Sequence, residues 1–202
     1  MNKSFIIKII LFCLVTIKVS AIEKVILFGD SLMAGYGLPN EQHLSVVLQN
    51  SLETEGYNIE IVNGSVSGST SSGGLNIAEW TLSESNIDLM ILCLGANDML
   101  RGINPIETKN NLDEIVKIAK RKNIKVIIAG MIAPTSYGSG YKKSFDKIFY
   151  DLSKKYKLQL IPFLLEGVAQ KPEYNLSDGM HPNDQGTIII GNTLKKAILE
   201  NL

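Results

Sequence analysis

The chain is predicted to fold as an α/β protein, a three-layer α/β/α sandwich around a five-stranded parallel sheet. Two patterns lead there. Short continuous apolar runs occur at Val25–Phe28, Ile59–Val62, Leu89–Leu94, Val126–Ala129 and Leu158–Ile161. Runs of that length, rich in Val and Ile, mark strands buried on both faces. Stripes with helical spacing fill the intervals between them. Strand–helix alternation repeated in this way produces a parallel sheet with helices on both sides. Size agrees, since 202 residues, 45% hydrophobic and 20% charged, suit one domain with a sizeable core.

The elements follow in order. Met1-Asn2-Lys3, a mostly apolar run from Phe5 to Ile17 and then Val19-Ser20-Ala21 have the layout of a secretory signal peptide cut after Ala21. Lys8 and Lys18 interrupt the run, whereas a membrane span wants about 18 clean apolar residues. Residues 1–21 are therefore expected to be a leader and 22–202 the folded domain of an exported or secreted protein. Losing Lys3, Lys8 and Lys18 from 20 basic and 20 acidic residues leaves 17 against 20, a net −3. An acidic chain without a basic run is a poor nucleic-acid binder, and none is expected as a partner. Cys93 is the one cysteine in 22–202, so no internal disulfide is expected there.

After the first strand, Leu44, Val47, Leu48 and Leu52 share a helical face. Leu112, Ile115, Val116 and Ala119 form a second stripe, and Phe145, Ile148, Phe149 and Leu152 a third. Ile190, Leu194, Ala197 and Ile198 mark a closing helix, with Asn183 placed to cap it. Right-handed crossovers and analogy with flavodoxin-like folds give the sheet order 2-1-3-4-5. In such a sheet, ligands bind beyond the carboxyl ends of the strands.

Chemistry-bearing residues stand in those places. Gly29-Asp30-Ser31-Leu32 follows the first strand, where a serine hydroxyl would be presented on a tight turn. Gly64-Ser65-Val66-Ser67-Gly68-Ser69-Thr70 follows the second and offers a backbone N–H at Gly68. Gly95-Ala96-Asn97-Asp98 follows the third and offers the Asn97 amide. Each alone is equally an ordinary turn or helix cap, Thr70 included. Near the end, Asp178 and His181 stand three apart, close enough for a carboxylate to orient the imidazole that a weak serine nucleophile needs. The other histidine, His43, lies where a helix begins and is read as structural.

The inventory excludes several classes. Two His and two Cys in the whole chain are too few for the familiar metal-hydrolase sites, so neither metal nor cofactor is expected. The Gly-x-Ser-x-Gly elbow, the Walker A loop and the dinucleotide fingerprint are missing from the sequence.

Taken together, the four segments from Gly29 to Asn183 resemble the SGNH (GDSL) hydrolase family. The resemblance implies Ser31 as nucleophile, Asp178 and His181 as its triad partners, and an oxyanion hole from Ser31, Gly68 and Asn97. The stretches Asp30 to Gly37, Gly95 to Gly102 and Asp178 to Asn183 are similar to a periplasmic thioesterase/arylesterase/lysophospholipase branch. That implies a monomeric esterase for small acyl esters or thioesters, with lipid contact. Ile132, Pro134 and Tyr137, after the fourth strand, are candidates to line an acyl groove, with Gly138 and Gly140 as points of movement. A carbohydrate O-deacetylase and a non-catalytic lipid-binding domain are the alternatives.

Overall fold

A computed structural model describes residues 22–84 and 86–202, and the proposed leader lies outside them. Five parallel strands form one sheet in the order β2-β1-β3-β4-β5. They are β1 (Lys24–Gly29), β2 (Glu60–Asn63), β3 (Leu89–Cys93), β4 (Lys125–Ala129) and β5 (Gln159–Ile161). The α-helices are α1 (Ser31–Ala34), α2 (Leu44–Thr54), α3 (Ser71–Thr81), α4 (Ala96–Leu100), α5 (Pro105–Arg121), α6 (Ser139–Tyr156) and α7 (Asp184–Leu199).

The central strands are buried as their apolar runs require. Val25–Phe28 of β1, all of β3 and Val126–Ala129 of β4 are closed to solvent. The edge strands differ from the expectation of burial on both faces. Ile59 is buried, but the ladder takes up one residue later, so exposed Glu60 and Asn63 bound β2 and its Ile61 and Val62 are half-buried. An edge strand lacks a neighbour on one side, and polar residues there blunt it against foreign pairing. The last run shortens likewise to Gln159–Ile161.

Helices cover both faces. α2 packs on α7 on one side, while α3, α5 and α6 pack in a row on the other. The stripes are the packing surfaces: Leu44, Leu48 and Leu52 of α2 are buried, with Val47 half-buried. All four stripe residues of α5, of α6 and of α7 are buried.

Side-chain caps fix where the helices begin. Thr70 Oγ1 accepts from Gly73 N at 3.2 Å at the start of α3. Asn104 caps α5, with Pro105 in its first turn. Asn183 Oδ1 accepts from Gly186 N at 3.0 Å at the start of α7, as the sequence implies. Its amide also donates to the Glu173 carbonyl at 2.9 Å, stapling α7 to the loop before it. Among the described residues, no helix is long and apolar enough to cross a membrane.

Because Asn183 serves two segments, Asn183→Ala should cost about 1–2 kcal/mol, the upper part of the range for a lost cap. Urea unfolding monitored by circular dichroism measures this, and an unchanged midpoint would refute it.

Candidate active site

The sheet order reverses at β1, whose neighbours β2 and β3 lead into opposite halves of the sandwich. Such a switch point opens a crevice at the strands' carboxyl ends. Ser31, Gly68 and Asn97 follow β1, β2 and β3 and all border one cavity.

Gly29 makes the first turn possible. A Cβ there would lie 2.6 Å from the Cys93 carbonyl oxygen and 2.7 Å from Met33 Cγ. With no side chain at 29, the chain turns at once from β1 into α1, and Ser31 stands at that helix's first position. Asp30 caps the helix by accepting from Leu32 N at 3.1 Å.

The histidine reaches this serine on a loop between β5 and α7. Leu176 N donates to the His181 carbonyl at 2.8 Å, and Asn175 bridges to Pro182. Gly179, at φ +70°, allows the tight turn between them. Asp178 Oδ1 then accepts from the backbone N–H groups of Met180 at 2.9 Å and His181 at 3.0 Å. Its Oδ2 lies 2.6 Å from His181 Nδ1, and His181 Nε2 lies 2.9 Å from Ser31 Oγ. The exposed Tyr36 ring rests against the imidazole, with centroids 4.5 Å apart.

Electrostatics set the direction of this chain of bonds. Partial burial would raise the Asp178 pKa, but the two backbone N–H groups and the His181 ring overcome that and hold it at about 2. An ionised carboxylate can only accept, so Nδ1 carries a proton. In the neutral ring Nε2 then bears a lone pair facing the serine hydroxyl.

Gly68 and Asn97 line the same cavity. Gly68 sits at φ +77°, a conformation other residues adopt with strain, and its carbonyl accepts from Arg101 Nη2 at 3.0 Å. Asn97 Nδ2 lies 3.3 Å from Asp30 Oδ2. Asp98 next to it is fully buried and accepts from Ser71 N, Ser71 Oγ and Thr108 Oγ1, tying α3, α4 and α5 together behind the site. Asp30 is also fully buried. Burial raises its pKa to about 6, against the lowering effect of Leu32 N–H, Asn97 and His181.

The cavity holds about 470 Å³ and is walled mainly by apolar side chains, among them Leu32, Met99, Met131, Phe163 and Leu165. Ile132 and Pro134 border it, as their position after β4 suggests. Tyr137 does not. The turn Thr135–Tyr137 carries its ring away to stack on Tyr141 at 5.5 Å. The loop is also clamped: Ala133 N donates to Asp146, and its carbonyl accepts from Lys142. Phe163 and Leu165 escaped the sequence reading, although the strand-end rule applies after β5 as well. His43 is structural, its Nε2 3.1 Å from the Leu38 carbonyl. No cluster of three or more potential metal ligands occurs among the described residues.

A model of the GDSL-like Lipase/Acylhydrolase family matches residues 27–187. The chain belongs to this family. Like its relatives, this GDSL protein has the α/β SGNH hydrolase fold, and its family is one of ester-bond hydrolases. It is 34% identical to an arylesterase of Vibrio mimicus, over 96% of each chain. It is 30% identical to thioesterase 1/protease 1/lysophospholipase L1 of Escherichia coli, over 92% of this chain and 88% of that one. A crystal structure of TesA superposes with a TM-score of 0.84 at 32% identity, covering 89% of this chain and all of the other.

Asp30 has a consequence for stability. Its folded pKa, about 6, lies above the ordinary aspartate value of 3.8. The folded state thus binds more protons between those values, and its stability falls as pH rises through that window. Thermal melts of parent and Asp30→Asn should diverge progressively from pH 4 to pH 6, with the variant the more stable at pH 8. Parallel curves would show that the carboxylate carries no such burden.

Proposed function

We propose that this protein is an exported serine esterase that hydrolyses carboxylic ester and thioester bonds of small acyl substrates. One observation carries the reading: the Asp178–His181–Ser31 relay, at 2.6 and 2.9 Å, opens on an apolar cavity. His181 Nε2 takes the proton of Ser31 as Oγ attacks the acyl carbonyl carbon. Asp178 fixes the ring's tautomer and stabilises the imidazolium. The negative charge that develops on the carbonyl oxygen is held by the N–H groups of Ser31 and Gly68 and by the Asn97 amide. His181 then protonates the leaving alkoxide or thiolate, which departs. Water, activated by the same imidazole, releases the acid from Ser31.

The apolar walls favour acyl chains over the acetyl group of a carbohydrate ester. The intact relay favours catalysis over passive lipid binding. Export rests on the charge and hydropathy pattern of Met1–Ala21. We further infer that the enzyme acts as a monomer and meets lipid at the cavity mouth, where Leu100, Ile132 and Met180 are exposed.

Purified protein assayed on p-nitrophenyl esters from acetyl to palmitoyl should show activity that Ser31→Ala abolishes. Asn97→Ala should lower turnover by about 10²–10³ with its fold intact, the loss typical of one oxyanion donor. Activity that survives Ser31→Ala, or a folded protein inert on every ester, would sink this reading. Ile132→Trp should lower the kcat/KM ratio of long to short chains by about tenfold, comparable to the discrimination a methylene gives in an apolar pocket. An unchanged chain-length profile would remove Ile132 from the acyl path.

A further inference from the structure

Asn97 poses a problem of orientation. The two ends of a carboxamide have almost the same shape, yet only the nitrogen end can donate to an oxyanion. Something must hold that end toward the cavity. Among the described residues, the Asn97 side chain meets one hydrogen-bonding partner, Asp30 Oδ2, at 3.3 Å.

Asp30 itself is costly. Its carboxylate is fully buried and, among the described residues, receives two donors, Leu32 N–H on Oδ1 and the Asn97 amide on Oδ2. Asp98 and Cys93, from the β3–α4 side, add no positive charge, and His181, on the last loop, favours the carboxylate electrostatically. Capping a four-residue helix does not need this charge, since Asn or Ser caps about as well. What Asn cannot do is accept without also donating. An ionised carboxylate has no proton to give, so the amide beside it must present N–H.

We propose that Asp30 is a positioning residue, holding the Asn97 carboxamide so that nitrogen rather than oxygen faces the reacting carbonyl. One N–H is spent on Asp30, and the second is left for the oxyanion. Replacing Asp30 by Asn would put an NH₂ group opposite, which the Asn97 amide satisfies by turning its oxygen toward residue 30. Folding survives that exchange, and the oxyanion donor is lost.

This rests on the catalytic reading of the site, and a double-mutant cycle on a p-nitrophenyl ester tests it. Asp30→Asn should lower kcat by about 10²–10³ and leave KM within about threefold, because the contact matters in the transition state. Combined with Asn97→Ala it should add nothing further, since its route to the reaction is already gone. Asp30→Ser, which keeps an acceptor for Leu32 N–H, should also slow the enzyme only when Asn97 is present. Normal turnover in Asp30→Asn, or losses that multiply with that of Asn97→Ala, would overturn the proposal. A second readout is independent of turnover. The Asn97 side-chain amide signals, identified in ¹⁵N–¹H spectra by their loss in Asn97→Ala, should shift strongly in Asp30→Asn. Unchanged signals overturn the contact itself. An inert parent protein with shifted signals would instead refute the esterase reading and leave this one standing.

Discussion

Everything at the site depends on β1 pairing with β3 in a register that sets Gly29 beside Cys93. That pairing ends both strands at the same level, so the turn carrying Asp30 and Ser31 faces the turn carrying Asn97 and Asp98. β2, on the other side of β1, delivers Gly68 to the same crevice. The register is enforced from below by a hydrophobic core with no tolerance for slippage. Central strands buried on both faces cannot shift by one residue without forcing Lys24 or Asp88 into the interior. Lys24 and Asp88 further mark the lower rim, where the Asp88 carboxylate accepts from Lys24 N at 3.0 Å.

The upper end departs from what stability alone would choose. Two carboxylates, Asp30 and Asp98, are fully buried there. Their treatment differs. Asp98 receives three hydrogen bonds, from Ser71 N, Ser71 Oγ and Thr108 Oγ1, and holds helices in place. Asp30 receives two, one of them long, and burial pushes its pKa upward. A carboxylate left short of donors is a cost that folding does not require, and such costs gather where a site must hold a group in one orientation. Asp178 is the reverse case. It is partly exposed and surrounded by donors, so its charge is cheap and its negative field reaches the imidazole.

Much of this was legible in the sequence, for identifiable reasons. The central strands announced themselves because a strand covered on both sides must be apolar throughout. The helices did so because each covers the sheet with one stripe, Leu112 to Ala119 being the clearest. The edge strands blurred: Glu60 and Gln159 are tolerated where a face or a flank meets water. Ser31, Gly68, Asn97, Asp178 and His181 stand out in the sequence by their places after strands together with the family resemblance; in the structure Ser31, Gly68, Asn97 and His181 line one cavity and Asp178 is hydrogen-bonded to His181. Tyr137 was misplaced because sequence distance from β4 says nothing about which way a turn sends a ring. Phe163, Leu165 and Met99 carry no signal of their own in the sequence, because no periodicity separates a cavity wall from a core.

That last ambiguity is physical as well as informational. The wall residues Met131, Leu165 and Met99 are buried like core and join the same cluster, while Ile132 and Met180 on the same cavity stand exposed. An acyl chain bound there, as proposed, would exchange water for contacts of the kind that stabilise the fold. The rigid part of the wall is held from outside the core: Ala133 is fixed at both its N–H and its carbonyl by the Asp146–Lys142 pair on α6. Ile132 stands directly beside this pair of hydrogen bonds. On the proposed acyl path, side-chain volume at Ile132 would therefore set chain-length preference. Gly138 and Gly140 lie beyond the clamp, at the start of α6.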